Sequence, residues 1–195
     1  MLRTVLTRKR RLAGLVLVLA VLGFGATACS DDSEGGDRPP SVAEARKATE
    51  ENPNDPEAWR DLSTALQTTG ATTSAIAALN RYAKLRPKDS DGLRQLGALY
   101  LAQAVERQQS PERVPTAKAS FEQAAATYRR IVALKPKLPS VRLELGQAAE
   151  QAGDTAAAIA AYRAFLRLAP NDPNAPLVRR HVNQLVKKVA AGGSG

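Results

Sequence analysis

Proline spacing constrains this 195-residue chain more than any other feature. The twelve prolines are Pro39, Pro40, Pro53, Pro56, Pro87, Pro111, Pro115, Pro136, Pro139, Pro170, Pro173 and Pro176, and none interrupts the Ala- and Leu-rich stretches between them. Proline breaks a helix interior but is tolerated in a first turn, so this map outlines helices and their joints. Pro53 to Pro87 is 34 residues and so is Pro136 to Pro170, while Pro87 to Pro136 is 49, the same period with 15 residues added.

Each period carries the same filling. From Pro56 the chain places Trp59, Leu62, Ser63 and Leu66 on a first helix, Gly70 at a turn, Ala75 and Leu79 on a second helix, and Pro87 at its end. A second copy starts at Ser90 with Leu93, Leu96, Gly97 and Tyr100 and resumes as Phe121, Ala124, Tyr128 and Pro136. The third starts at Pro139 with Leu145, Gly146, Gly153, Ala158, Tyr162 and Pro170. Leu62/Leu66, Leu96/Tyr100 and Leu145/Ala149 are i, i+4 pairs on one helical face. Ser63, Gly97 and Gly146 are small where a partner helix must come close.

This pattern resembles the tetratricopeptide repeat, a helix–turn–helix unit of 34 residues, from about Pro56 to Asp172. The resemblance implies an all-α fold, a right-handed solenoid of three stacked hairpins at 56–89, 90–138 and 139–172. Three departures accompany it. Tyr82, Ile131 and Phe165 stand where the family often has Ala, which predicts altered spacing between neighbouring repeats. Arg142 stands where the first copy has Trp59. The second copy carries an insertion at 104–118, in which AVERQQ lengthens the first helix and SPERVP makes the turn.

The repeat domain is expected to span 41–190, closed by a helix at each end. Ser41 to Asn52 matches the second helix of a preceding unit. A capping helix at 176–190 places Val178, Val182, Leu185 and Val189 at 4, 3, 4 spacing, a stripe suited to sealing the last apolar face. Arg179, Arg180, Lys187 and Lys188 lie on its outer face, as a solvated surface or as contacts for anionic lipid or an acidic partner. The tail at 191–195 is expected to be disordered.

Ahead of the repeats, Arg3, Arg8, Lys9, Arg10 and Arg11 precede an uncharged run from Leu12 to Ala28. Seventeen helical residues reach roughly 25 Å, short of a usual bilayer span. A basic, then apolar, then small-residue layout is that of a secretory signal, here 1–28. Ala26-Thr27-Ala28 directly before Cys29 resembles the lipobox of bacterial lipoproteins, and that resemblance implies cleavage and lipidation at Cys29. An ordinary cleaved signal and an uncleaved anchor are the alternatives. With lipidation, the chain would be held at the extracytoplasmic face of a bacterial cell membrane, since two acyl chains make a stable anchor. Residues 29–40, acidic and poor in apolar side chains, read as a disordered tether.

The formal charge of +9 shrinks to +4 once the leading segment is set aside, leaving 23 basic and 19 acidic residues. That balance argues against a nucleic-acid binder. A single Cys and a single His exclude disulfides, Cys clusters and histidine-based sites within the chain. No HExxH, P-loop, GxSxG or GxGxxG motif is present, Glu50/Glu51 and Asp31/Asp32 are merely adjacent, and His181 reads as a structural residue of the last helix. The sequence therefore predicts no enzyme, no cofactor, no metal and no small-molecule substrate.

What the resemblance does imply is a concave groove for a protein or peptide partner, lined by the second, fifth, ninth and twelfth positions of each repeat. These are Glu57, Arg60, Thr64 and Gln67; Asp91, Arg94, Ala98 and Leu101; and Ser140, Leu143, Gln147 and Glu150. Arg60 and Arg94 are the anion contacts expected in this strip. The Lys/Asn/Arg set of the family's carboxylate clamp is absent. The function read from sequence is a membrane-tethered scaffold of the bacterial envelope. The alternative is a structural subunit of an envelope assembly for cytochrome maturation or secretion.

Overall fold

The computed structural model describes residues 38–192. The signal segment, Cys29 and the tether as far as residue 37 lie outside the described residues, as do 193–195. Eight α-helices follow one another: α1 (Val42–Glu51), α2 (Pro56–Thr68), α3 (Thr72–Leu85), α4 (Ser90–Gln108), α5 (Val114–Leu134), α6 (Pro139–Gln151), α7 (Thr155–Leu168) and α8 (Ala175–Gly192). No strand occurs among the described residues. The architecture is the α-solenoid that the resemblance implies, and the main packing contacts all join consecutive helices.

Local chemistry fixes the helix ends. Ser41 forms a capping box with Glu44: its Oγ accepts from Glu44 N at 3.3 Å, and its own N donates to Glu44 Oε2 at 2.7 Å. Asp55 accepts from Glu57 N, Asp89 from the N–H groups of Asp91 and Gly92, and Asp154 from Ala157 N. Gly70 (φ 72°) and Gly153 (φ 85°) take left-handed conformations at equivalent turns. Each is followed by the same closure, Ala71 N to Leu66 O at 3.0 Å and Asp154 N to Ala149 O at 2.8 Å.

Packing follows a size exchange between helices. Gly97 on α4 faces the ring of Tyr128, and Gly146 on α6 faces the ring of Tyr162; a Cβ on either glycine would collide with that ring. At the same register the first repeat pairs a Ser with a Leu, Ser63 and Leu79, both buried, and Ser63 Oγ donates to the Ala75 carbonyl at 3.0 Å. The altered repeat spacing expected from Tyr82 has a local answer, since Gly92 on α4 leaves room for the Tyr82 ring.

Trp59 and Arg142 occupy one register and perform one task. Trp59 Nε1 donates to the Pro53 carbonyl at 2.9 Å, and Arg142 Nη2 donates to the Pro136 carbonyl at 3.3 Å. Each thereby pins the loop entering its repeat to the first helix.

The added residues of the second repeat lengthen both of its helices. A short 3₁₀ turn (Pro111–Arg113) joins them, and α5 starts at Val114, inside the SPERVP stretch that the sequence assigns to a turn. A Pro in a first turn is permitted there because its missing N–H has no helical partner to lose. Polar side chains knit the extended hairpin and tie it to α3: Ser120 donates to Gln103 at 2.9 Å and accepts from Arg107 at 2.8 Å, while Gln103 donates to Thr73 on α3 at 3.1 Å.

At the far end α8 runs from Ala175 to Gly192, past the tail boundary expected at 191. Val178, Val182 and Leu185 are buried, but Val189, assigned by its spacing to the sealing stripe, is 52 % exposed. Its correction is geometric, because α8 extends beyond the last residues it covers. Arg180, exposed on α8, stands where earlier repeats have Ser63, Gly97 and Gly146.

Candidate functional site

The strip to consider is formed by the solvent-facing sides of the first helices, α2, α4 and α6. All twelve positions drawn from the sequence are at least partly accessible: Arg60, Thr64, Gln67, Asp91, Arg94, Ala98 and Gln147 are exposed, while Glu57, Leu101, Ser140, Leu143 and Glu150 are half-buried. A cavity of about 380 Å³ lies at the front of the strip, where Pro39 and Pro40 face Asp61, Thr64 and Thr68.

Neither arginine expected to meet an anion is unpaired. Arg60 bonds Glu57 on its own helix, and its guanidinium lies 6.0 Å from the centroid of the Tyr82 ring. Arg94 reaches from α4 to α6 and bonds Glu144 with both Nε and Nη2, the Nε distances being 2.9 and 3.2 Å. Donation to Glu144 raises the already high pKa of Arg94. Beneath this pair, burial pushes the Tyr128 hydroxyl up to about 12, and the nearby Glu144 carboxylate adds to that shift.

A third couple closes the strip at its C-terminal end. Glu150 on α6 accepts from Tyr162 Oη at 3.0 Å, and its Oε2 lies 2.7 Å from His181 Nε2 on α8. The Tyr162 and His181 rings meet edge to face, with centroids 5.7 Å apart. Burial raises the Tyr162 hydroxyl far above its ordinary value, and its bond to Glu150 raises it further. The sequence alone marks His181 only as a structural residue of the last helix. Its signal was its place one 34-residue period after Gln147, which makes α8 the first helix of a fourth unit and carries the strip onto it.

The remaining positions are open or only locally bonded. Thr64 Oγ1 donates to the Arg60 carbonyl at 3.1 Å, and Gln67 Nε2 to the Ser63 carbonyl at 3.3 Å. With Ala98, Leu101, Leu143 and Gln147 they leave a polar and apolar lane between paired charges. Among the described residues no group of three or more His, Cys, Asp or Glu side chains could hold a metal ion. No helix among them is long and apolar enough to cross a membrane.

Two stretches, residues 33–90 and 115–183, match the tetratricopeptide repeat family, together about two thirds of the chain. The chain is a tetratricopeptide repeat protein. Solved structures of similar fold include MamA of strain AMB-1, with a TM-score of 0.58 and 19% identity over 76% of this chain and 72% of that one. MamA from Desulfovibrio magneticus RS-1, from residue 41 to its end, gives 0.52 and 16% over 77% and 84%. A further crystal structure of MamA gives 0.54 and 18% over 75% and 78%. No curated protein sequence matches the chain. At such identities the likeness is one of fold. The repeat type is that of protein-interaction scaffolds, and the concave strip is the surface such tetratricopeptide arrays present.

Proposed function

We propose that this tetratricopeptide repeat protein is a membrane-tethered scaffold that holds an extended peptide or a helix of an envelope or secreted protein in its concave strip. One observation carries the reading: groove positions remain accessible in unbroken register from Glu57 on α2 to His181 on α8. The charges along that strip are largely met within the chain, by the Glu57–Arg60 and Arg94–Glu144 ion pairs and by the contacts of Glu150 with Tyr162 and His181. A partner is therefore selected by shape and by contacts at Thr64, Ala98, Leu101, Leu143 and Gln147 more than by net charge. The tether rests on the basic and apolar leading segment and on Ala26-Thr27-Ala28-Cys29, with lipid on Cys29 and the repeats on the extracytoplasmic face of a bacterial cell membrane.

The groove is tested by placing a photo-crosslinking residue at Ala98 or Gln147 in the full chain in its native membranes, with the exposed Ala160 on α7 as the control. Discrete adducts from the first two positions and none from the third support groove capture. Equal adducts from all three reject it. The anchor is tested by the intact mass of the mature chain, where diacylglyceryl-Cys29 at the N-terminus supports lipidation. A chain still beginning at Met1, or one cleaved without lipid, rejects it.

A further inference from the structure

On the opposite side from the groove, α1 and α3 are separated by a cleft of about 360 Å³ that the concave reading does not use. Trp59, Leu62 and Leu66 of α2 form its apolar floor, and Arg46, Arg81 and Lys84 stand at its rim. No acidic residue lines it. None of the three cations has a side-chain partner among the described residues, whereas Arg60, Arg94 and Arg129 each pair with a carboxylate.

The repeat register explains why the cleft is open here. Arg46 corresponds to Asn80 and Arg129 in the next two units, and Leu66 corresponds to Tyr100. One interval further on, the longer Tyr100 side chain stands at that floor position, and its hydroxyl accepts from Asn80 Nδ2 at 2.9 Å. In the interval after that, Arg129 is tied to Asp154 at 3.1 Å. Only in the first of these intervals is a cation at the Arg46 register without a side-chain partner. Trp59 Nε1 is committed to the Pro53 carbonyl, which holds the indole in the floor.

We infer that this convex cleft is a second binding site, for an amphipathic helical segment of a partner protein with an acidic flank. The volume suits one or two apolar side chains, which would rest on Trp59, Leu62 and Leu66. Carboxylates on the flank of that segment would meet Arg46, Arg81 and Lys84. A site with an apolar floor and a few convergent charged groups gains affinity from the floor and selects its ligand by the rim. The cations are not balanced within the protein, so an acidic ligand displaces no internal ion pair.

Trp59 is the sole tryptophan, and it reports on this cleft directly. The test is a fluorescence titration of the full chain in neutral detergent with a synthetic Glu/Leu amphipathic helix that lacks aromatic residues. The same helix with Lys for Glu, and phosphatidylglycerol vesicles, are run alongside. A saturable change in Trp59 emission with the Glu peptide is expected, weakened about tenfold or more by Arg81→Glu/Lys84→Glu and reduced by added salt. Far-UV circular dichroism checks that the variant stays helical, and the milder Arg46→Gln gives a second, smaller loss. The inference is overturned by no saturable change with the Glu peptide, by an equal response to the Lys peptide, or by unchanged affinity in both variants. It is overturned equally by a response to the vesicles alone. Crosslinking at Ala98 and Gln147 reads a different face, so either site can fail without the other.

Discussion

Gly97 lies against the ring of Tyr128 so closely that a Cβ on the glycine would stand 2.8 Å from Tyr128 Cζ. The first repeat solves the same approach with Ser63 and Leu79, which makes residue size at the two positions a linked pair. Gly97→Ala should cost about 1–3 kcal/mol by overpacking. Tyr128→Leu should cost a similar amount, because it leaves a void in a core where Tyr128 is 2 % exposed. The double variant Gly97→Ser/Tyr128→Leu copies the first repeat, and its urea unfolding free energy should exceed the additive value by on the order of 1 kcal/mol. Strict additivity would show that the backbone, not the facing side chain, absorbs the change.

The Tyr82 hydroxyl donates to Asp89, and this bond couples stability to pH at both extremes. Burial opposes ionisation of Asp89, but the donors Tyr82, Asp91 N and Gly92 N outweigh it and hold the carboxyl below its ordinary 3.8. A depressed folded-state pKa gives stability that is present above the unfolded value and lost as pH falls through the folded one. Burial, then the bond to Asp89, pushes Tyr82 up to about 12 from its ordinary 10.0. That contribution is present below pH 10 and lost as pH rises toward about 12. Thermal midpoints measured across pH should therefore fall at both ends. Asp89→Asn should flatten the acid fall, and Tyr82→Phe should flatten part of the alkaline one. An acid limb of the same depth in Asp89→Asn would remove Asp89 from the account.

Arg94 and Glu144 are fifty residues apart in sequence and join α4 to α6 across the groove. Their side chains are 46 % and 23 % exposed, so solvent screening keeps the pair near the modest end for ion pairs, about 0.5–1 kcal/mol. Arg94→Glu replaces attraction by repulsion and should lower the unfolding free energy by about 1 kcal/mol, while Arg94→Glu/Glu144→Arg should recover most of the loss. Urea midpoints of the three chains decide it. A charge-swapped chain no better than Arg94→Glu would mean that the geometry of the arginine fork, not its charge, holds the two helices.

The difference between Arg94–Glu144 and the helix ends shows what was legible in the sequence. Helix boundaries are local: Pro56 in a first turn and Gly70 and Gly153 at turns needing positive φ are each decided by neighbours a few residues away. The 34-residue period then placed Leu62, Leu96 and Leu145 in one core. A pairing between helices carries no such local mark, so Arg94 reads as a contact for a partner's anion although it meets Glu144 of α6. The start of α5 at Val114 was hidden for a different reason. A Pro at 115 is equally suited to a turn and to a first helical turn, and the buried Ala117 and Ser120 that settle the matter do so through α4. Val189 kept the right spacing yet had nothing left to cover.

The exchange of Trp59 for Arg142 gives a final prediction, because two chemically unlike side chains make the same bond. What the register selects is an N–H donor reaching the carbonyl of the proline six residues upstream, with enough apolar stem to cover the helix face. Arg142→Ala should cost about 1 kcal/mol or somewhat more, from the lost hydrogen bond and the lost stem. Arg142→Leu separates these contributions, since Leu93 occupies this register in the second repeat, fully buried and without a donor. It should restore packing but leave the loop at Pro136 untied. Arg142→Trp should restore both, as Trp59 does at Pro53. Amide hydrogen exchange at Lys137 and Leu138 measures the loop alone. Faster exchange in Arg142→Leu with near-parental exchange in Arg142→Trp is the expected order. Equal exchange in all three would mean that the loop is held by the backbone bond from Leu138 N to the Lys135 carbonyl, without help from Arg142.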